Sequence, residues 1–450
     1  MKKIIYILIA IITVCSNNIF AQKTLSLEDS KKLALQNNAK MKNSRLEAEA
    51  SEQTRRAAFT KYFPNISANG VMFGASKSMM EIESKGGNLP VYDGNLANLS
   101  SASTYAYFPP STTEMLKKGT LGFLTVTQPV FAGGRIINGN KLAVLGQEVS
   151  SDKKRLSEDE ISLRTEEQYW QVVSLEEKLI TIQKYEDMLR SLLKQVDDAF
   201  VHGVVMKNDV LKVKLKLSEV LLNKSKLENG KKLASMALCQ YIGIPYDSTL
   251  IFNEKLDISG IPQSYYVDNN EALKTRTEYN LLQKSVEAEK LQTNLKLGEY
   301  LPQVAVGVSG TYMKLDDSND RTFGMVFGTV SIPISDWWEA SHTLKERSLK
   351  EEMAENDLKD KSELLTLQME KAWQDLSDSY KQVLLSEESK AQAEENMKVN
   401  DDSYKNGLSN VSDLLEAEAM LQQAKDQLTD SKANYRTKLV NYLISTGRNK

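Results

Sequence analysis

Cysteine and histidine are almost missing from this chain of 450 residues, with two of each. Cys15 lies within the first 21 residues, a removable leader by the reading below, which leaves Cys239 as one thiol with no internal disulfide to make. His202 and His342 stand far apart, no Cys/His group has metal spacing, and no nucleophile is paired with a base. An enzyme needs convergent titratable groups, so catalysis, a metal and a cofactor are all disfavoured. Basic excess is missing too. The formal net charge is −3, and two of the lysines sit at the very N-terminus, so nothing neutralises the phosphates of a nucleic acid. The Gly-rich Lys motif of a nucleotide-driven motor is not present. Beyond the first residues, no apolar run reaches the roughly 18 residues of a membrane-spanning helix. If the chain enters a bilayer, it does so as strands.

What is present begins with an address. Lys2 and Lys3 precede an apolar run from Ile4 to Val14, then polar Ser16, Asn17 and Asn18, then Ile19-Phe20-Ala21. That order predicts a secretory signal peptide over residues 1–21, cleaved after Ala21. A lipid-modified Cys15 is the rival, weakened because Ile12-Thr13-Val14 offers no small residue before it.

Proline is confined as well. Residues 130–244 and 334–450 contain none, and glycine is missing from 147–202 and 329–406. Those stretches are rich in Leu, Glu, Lys, Gln and Ala, good helix formers. Met369, Trp373, Leu376, Tyr380 and Val383 follow heptad spacing, as do Leu189, Leu193, Val196 and Phe200, and Leu421, Leu428, Tyr435, Leu439 and Tyr442. Such stripes need partner helices. A helix from about Gly139 to Phe200 is on the order of 90 Å long at 1.5 Å per residue, beyond any ordinary globular core.

The chain is also duplicated. Tyr62-Phe63-Pro64 falls on Tyr300-Leu301-Pro302. From Pro129 onward a second constant offset puts Pro129 on Pro333, Tyr169 on Trp373, Phe200 on Tyr404, Gly203 on Gly407, Asp209 on Asp413 and Gly243 on Gly447. The change of offset places an extra loop inside 74–119 of the first copy. The copies span 22–245 and 267–450, with 246–266 as a linking equatorial segment. Each reads helix, strand, loop, strand, long helix, turn, helix. Val304, Val306, Val308 and Tyr312 alternate with Gln303, Ala305, Ser309 and Thr311, a strand with one apolar face. The fold class expected is mainly α with a membrane β-barrel portion. Four strands cannot close, and open edges in lipid leave backbone groups unpaired at several kcal/mol each. Three copies would give twelve strands, whereas a dimer's eight would be nearly filled by side chains. A homotrimer embedded in outer-membrane lipid follows.

This layout resembles the TolC-like outer-membrane factor family over essentially the whole mature chain. The resemblance rests on Tyr62-Phe63-Pro64 and Tyr300-Leu301-Pro302, on Gln128-Pro129-Val130-Phe131, and on two segments, Phe200-Val201-His202-Gly203-Val204 through Asp209 and Tyr404-Lys405-Asn406-Gly407-Leu408 through Asp413-Leu414-Leu415-Glu416-Ala417. It implies a cell outer-membrane exit duct extending into the periplasm, for a tripartite efflux pump or a type I secretion system, with a periplasmic adaptor and an inner-membrane transporter as partners. A periplasmic coiled-coil scaffold or adaptor is the alternative, disfavoured by two copies of strand–loop–strand.

Asp413 and Glu416 are three apart, on one helix face, and would form two acidic rings if that face lined a three-fold pore. By resemblance they match the acids of a periplasmic aperture, and Asp209 and Tyr404 match groups that tie neighbouring helices in a closed state. The competing account makes Ser412 or Asn208 a helix cap and Asp413 or Asp209 a first-turn acid. Lys212 aligns with Glu416, so the first copy supplies no second full ring, and Ser409 stands where some relatives carry a cation. Gly203 and Gly407 are expected at tight turns, with Val204, Val205 and Leu408 exposed as an adaptor-docking rim. Trp337-Trp338 read either as an interfacial belt or as packing.

Overall fold

The computed structural model describes residues 24–448 apart from 102, 259 and 317. The signal peptide and Cys15 lie outside the described residues. In chain order the elements are β1 (Thr24–Leu25), α1 (Leu27–Asn37), α2 (Ala39–Phe59), β2 (Asn65–Gly74), β3 (Met80–Ser84), β4 (Gly87–Pro90), β5 (Tyr105–Phe108), β6 (Ser111–Met115), β7 (Lys118–Ala132), α3 (Arg135–Val201) and α4 (Lys207–Ile242). Then follow β8 (Ile251–Phe252), α5 (Asn269–Thr275), α6 (Thr277–Glu299), β9 (Gln303–Leu315), β10 (Arg321–Ser331), α7 (Trp337–Lys405) and α8 (Val411–Ser445). The chain divides into two units, one made of 53–144 and 288–351, the other of the remaining described residues.

The first unit carries a four-stranded sheet in the order β10-β9-β7-β2, antiparallel throughout. Its register aligns Ile66, Val126, Val308 and Val326 in one row, and Ala68, Leu124, Gly310 and Gly324 in the next. Because side chains alternate along a strand, these rows share one face and make an apolar band at mid-strand, with Gln128 toward one end and Thr120 and Lys314 toward the other. The opposite face carries Ser67, Thr125, Ser309 and Met325 in a row, with a 3.3 Å hydrogen bond between the Thr125 and Ser309 hydroxyls. The apolar face is bare: Ile66 is 67% and Val326 81% exposed. A band of exposed apolar residues along one strand face is the pattern of a barrel wall in lipid. β2 and β10 each have one side without a partner strand among the described residues. β7 continues past Pro129, where a bulge before Phe131 absorbs the missing N–H.

The extra loop is itself ordered as β-structure. β3 pairs with β6, and β4 with β5, as two nested antiparallel ladders. The turn at its base is held by Asp316, whose carboxylate accepts backbone N–H bonds from Leu116 (2.7 Å), Lys117 (2.8 Å) and Lys118 (3.0 Å). Those donors, Lys118 foremost, hold its pKa below the ordinary carboxylate range. At the other end of the sheet, Gly133 has φ +61°, and a Cβ there would sit 2.1 Å from the carbonyl oxygen of Gly298, so only glycine lets α6 and the start of α3 approach. The two tryptophans divide. The Trp337 indole donates to the Tyr300 carbonyl at 2.8 Å, a packing role, while Trp338 is exposed.

The second unit is helical. α3 has 67 residues and α7 has 69, each about 100 Å at 1.5 Å per residue. The expected stripes are its cores. Met369, Leu376 and Val383 are buried, with Trp373 and Tyr380 packed beside them, and Tyr435, Leu439 and Tyr442 face them from α8. Leu189 and Val196 are buried against Val213, Leu217 and Val220 of α4. Phe200, expected to close that stripe, is exposed instead, because α3 ends one residue later and no facing turn remains to cover it. No helix among the described residues is long and apolar enough to cross a membrane.

Candidate functional site

The ends of the helical hairpins α3–α4 and α7–α8 hold the residues that the sequence singles out. Both long helices stop in the same way. Gly203 (φ +76°) donates to the Phe200 carbonyl at 3.0 Å, and Val204 to that of Ala199 at 2.9 Å. Gly407 (φ +72°) donates to Tyr404 at 3.0 Å, and Leu408 to Ser403 at 2.8 Å. This is the left-handed glycine stop with its two tightening bonds, written twice. In such stops the apolar residue after the glycine usually packs back on its helix. Here Val204 and Leu408 are 76% and 81% exposed. Val201 and Met206 are exposed beside them. Val205 is not: it is half-buried against the tip core, because the turn rotates it inward toward Val210 and its neighbours. The exposed rim is therefore Val201, Val204, Met206 and Leu408. Two of its members escaped the sequence reading, since nothing local separates an inward from an outward valine in a tight turn.

The return helices start differently. α8 is capped by Asn410, whose side chain accepts from Ser412 (2.8 Å) and Asp413 (3.1 Å) while Asp413 accepts from the Asn410 N–H at 3.4 Å. That is a reciprocal capping box. α4 begins after Met206, which has no side-chain oxygen, so only the Asp209 carboxylate contributes, accepting from Met206 N–H at 3.4 Å. Neither Ser412 nor Asn208 is the cap; both lie inside the first turn, because each helix starts two residues earlier than residue preference alone suggested. Asp209 and Asp413 are first-turn acids, each facing the positive helix end.

Asp413 and Glu416 are both exposed, with Leu414, Leu415 and Ala417 buried behind them. Glu416 makes no hydrogen bond or ion pair among the described residues, so its charge is not spent within the protomer. Tyr404 is half-buried against the tip core, and burial first, then the nearby Asp209 charge, pushes its hydroxyl above the usual phenol range. The tip thus brings Asp209 and Tyr404 together across the two repeats. It also brings in Lys212, which the sequence marked only as the odd counterpart of Glu416. Its ammonium donates to the Ser412 hydroxyl at 2.7 Å and lies 3.7 Å from Asp209, bridging the first turns of α4 and α8. The Ser409 hydroxyl is buried without a partner. Among the described residues no cluster of His, Cys, Asp or Glu is arranged to hold a metal.

Comparison with known proteins places this geometry. No curated protein matches the sequence. Solved structures do. VceC, an outer membrane protein of Vibrio cholerae, aligns with a TM-score of 0.71 at 13% identity, covering 94% of this chain and 96% of its own. The CmeC outer membrane channel of Campylobacter jejuni gives 0.74 at 14%, covering 94% and 87%. The MtrE outer membrane channel of Neisseria gonorrhoeae, in its open state, gives 0.74 at 14%, covering 94% and 88%. These likenesses show a shared fold of helical tunnel and β-barrel wall. The family model described as outer membrane efflux protein matches residues 31–244 and 270–447. With both repeats matched over most of its length, the chain belongs to the outer membrane efflux protein family.

Proposed function

We propose that this chain is one subunit of a trimeric, passive exit duct for a tripartite efflux pump or a type I secretion system. It crosses the outer membrane as a shared barrel, reaches into the periplasm, and is gated at its hairpin tips. The observation that carries this reading is the four-stranded sheet with one bare apolar face and two unpartnered edges. In lipid those edges must be paired, and a single sheet of four strands cannot pair them with itself. A periplasmic scaffold would have no use for such a face. The two repeats, 22–245 and 267–450, each supply half of the subunit's wall.

Asp413 and Glu416 act as the charged constriction. Three-fold symmetry would stack the exposed pair into two rings that bind cations and repel each other, and Asp209, Tyr404 and Lys212 hold the tip against that repulsion. MtrE's open state supports more than one state for a channel of this fold. Val204 and Leu408, joined by Val201 and Met206 around Gly203 and Gly407, form the docking rim for the apolar hairpin ends of a periplasmic adaptor, through which an inner-membrane transporter is reached. The test is single-channel recording in planar bilayers. Neutralising both acids (D413N with E416Q) is expected to raise conductance and weaken block by multivalent cations applied from the tip side. Unchanged conductance and block would remove the gate from these residues.

A further inference from the structure

The return helix α8 is fastened to the α3–α4 hairpin at two points. At one, Lys212 donates to the Ser412 hydroxyl at 2.7 Å. At the other, Asp430 accepts from Lys178 at 2.7 Å and from Ser174 at 3.2 Å. Between these pins the seam holds a cleft of about 450 Å³. Tyr185 of α3, Lys216, Glu219 and Lys226 of α4, and Gln422 and Asp426 of α8 stand around it. Protein interiors are filled as tightly as molecular crystals, so a gap of this size marks unfinished packing between three helices.

Three polar groups at the cleft lack a partner across the seam. Tyr185 is 4% exposed, and its hydroxyl has no hydrogen-bond partner among the described residues. Glu418, one turn from Gln422, is half-buried and makes no hydrogen bond or ion pair among the described residues. Asp426 is half-buried too, and its one bond comes from the Gln422 amide of its own helix, at 3.1 Å. The cations around them are committed elsewhere or turned to solvent. Lys178 is paired with Asp430 at 2.7 Å and Lys216 with Glu219 at 3.0 Å, while Lys226 is exposed. On α7, Asp401 is paired with Lys405 at 2.6 Å and Glu394 with Lys390 at 3.5 Å. Burial foremost raises the pKa of Glu418, against the pull of Lys425 and with the repulsion of Asp401. Burial also leads for Asp426, against Gln422 and Lys178 and with the repulsion of Asp430. Burial first, then the charges of Glu418 and Glu219, push the Tyr185 hydroxyl up. A carboxyl whose pKa is raised by folding supports the folded seam in its protonated form. That support is complete below the ordinary carboxylate value and is lost as pH rises through the raised one.

We propose that this seam is a proton-operated clasp on the helical part of the molecule. With Glu418 and Asp426 neutral, α8 closes over the cleft, and Glu418 shares a hydrogen bond with the Tyr185 hydroxyl. With both ionised, the stretch between the pins turns its carboxylates to water and the seam loosens. The same helix carries Asp413 and Glu416, so a loosened seam frees the tip that bears them. The inference goes beyond the duct reading, because the clasp is a property of three packed helices and holds whether or not the trimer conducts.

The experiment is hydrogen–deuterium exchange on the full-length trimer in lipid nanodiscs at about pH 4.5 and about pH 8, each rate divided by the intrinsic rate at that pH. Wild type is expected to protect 418–429, and the facing stretches 179–186 and 216–227, about tenfold better at the acid pH. E418Q with D426N, neutral throughout, should keep that protection at the higher pH and lose the difference. D413N with E416Q removes the tip charges instead and should leave the difference at 418–429 intact. If the double variant does not fold, E418Q and D426N are measured singly, and each should remove part of the difference. Equal protection of wild type at the two pH values, or a wild-type difference retained by the neutral variants, would overturn the inference. Conductance of the same trimer in planar bilayers is the second arm: a protein that forms no channel sinks the duct reading and leaves the exchange result to decide the clasp.

Discussion

At the scale of single residues, the tip is an asymmetric device made from a symmetric sequence. The repeat places Asp209 on Asp413 but Lys212 on Glu416, and the structure turns that difference into a bridge from Lys212 to Ser412. K212M should uncouple the first turns of α4 and α8 and raise amide exchange at 207–213 and 411–416, with the rest of both helices unchanged. The phenol of Tyr404 adds a pH dependence. Its pKa in the folded tip is raised above the ordinary value of 10.0, by burial first and then by the Asp209 charge. The neutral form is therefore the one that the tip favours: its contribution is complete below pH 10 and is lost as pH rises through the shifted value. The tip should loosen under alkali, seen as faster proteolysis of the hairpin ends, and Y404F should blunt that loss. Some of this was legible. Asp413 and Glu416 share a face by spacing alone, and the paired glycines declared the turns. Lys212's bridge was not, because it depends on two helix starts lying side by side, a contact between residues 200 positions apart. Nor was the inward turn of Val205.

At the scale of elements, the long helices were the most readable part. A heptad stripe is a local pattern, and burial of Leu189, Val196, Met369, Leu376 and Tyr435 repeats it almost residue for residue. Leu189→Ala should cost about 3 kcal/mol by leaving a cavity between α3 and α4, and should appear as lost exchange protection at both helices facing it. The four wall strands were also readable, since β9 alternates cleanly and its partners share its Gly-rich and β-branched composition. The insertion between β2 and β7 was not. Its residues alternate poorly, and its two ladders are set by pairing across the hairpin and by the Asp316 clamp from the other repeat, neither of which is written locally. D316A removes three acceptor contacts at once. It should release the base of the insertion, with faster exchange at 116–118, while β9 and β10 stay protected.

At the scale of the whole molecule, sequence and structure converge on an incomplete wall. The bare apolar band and the two free edges of the sheet call for like subunits on either side, and conduction is a use that such a wall fits. The most direct test is disulfide trapping in native membranes. Cysteines are placed in β2 and in β10 of the full chain, with the oxidised product resolved by size. The account predicts a covalent ladder ending at three subunits, formed only in the membrane fraction. A chain recovered from the water-soluble fraction with no cross-link between β2 and β10 would contradict it.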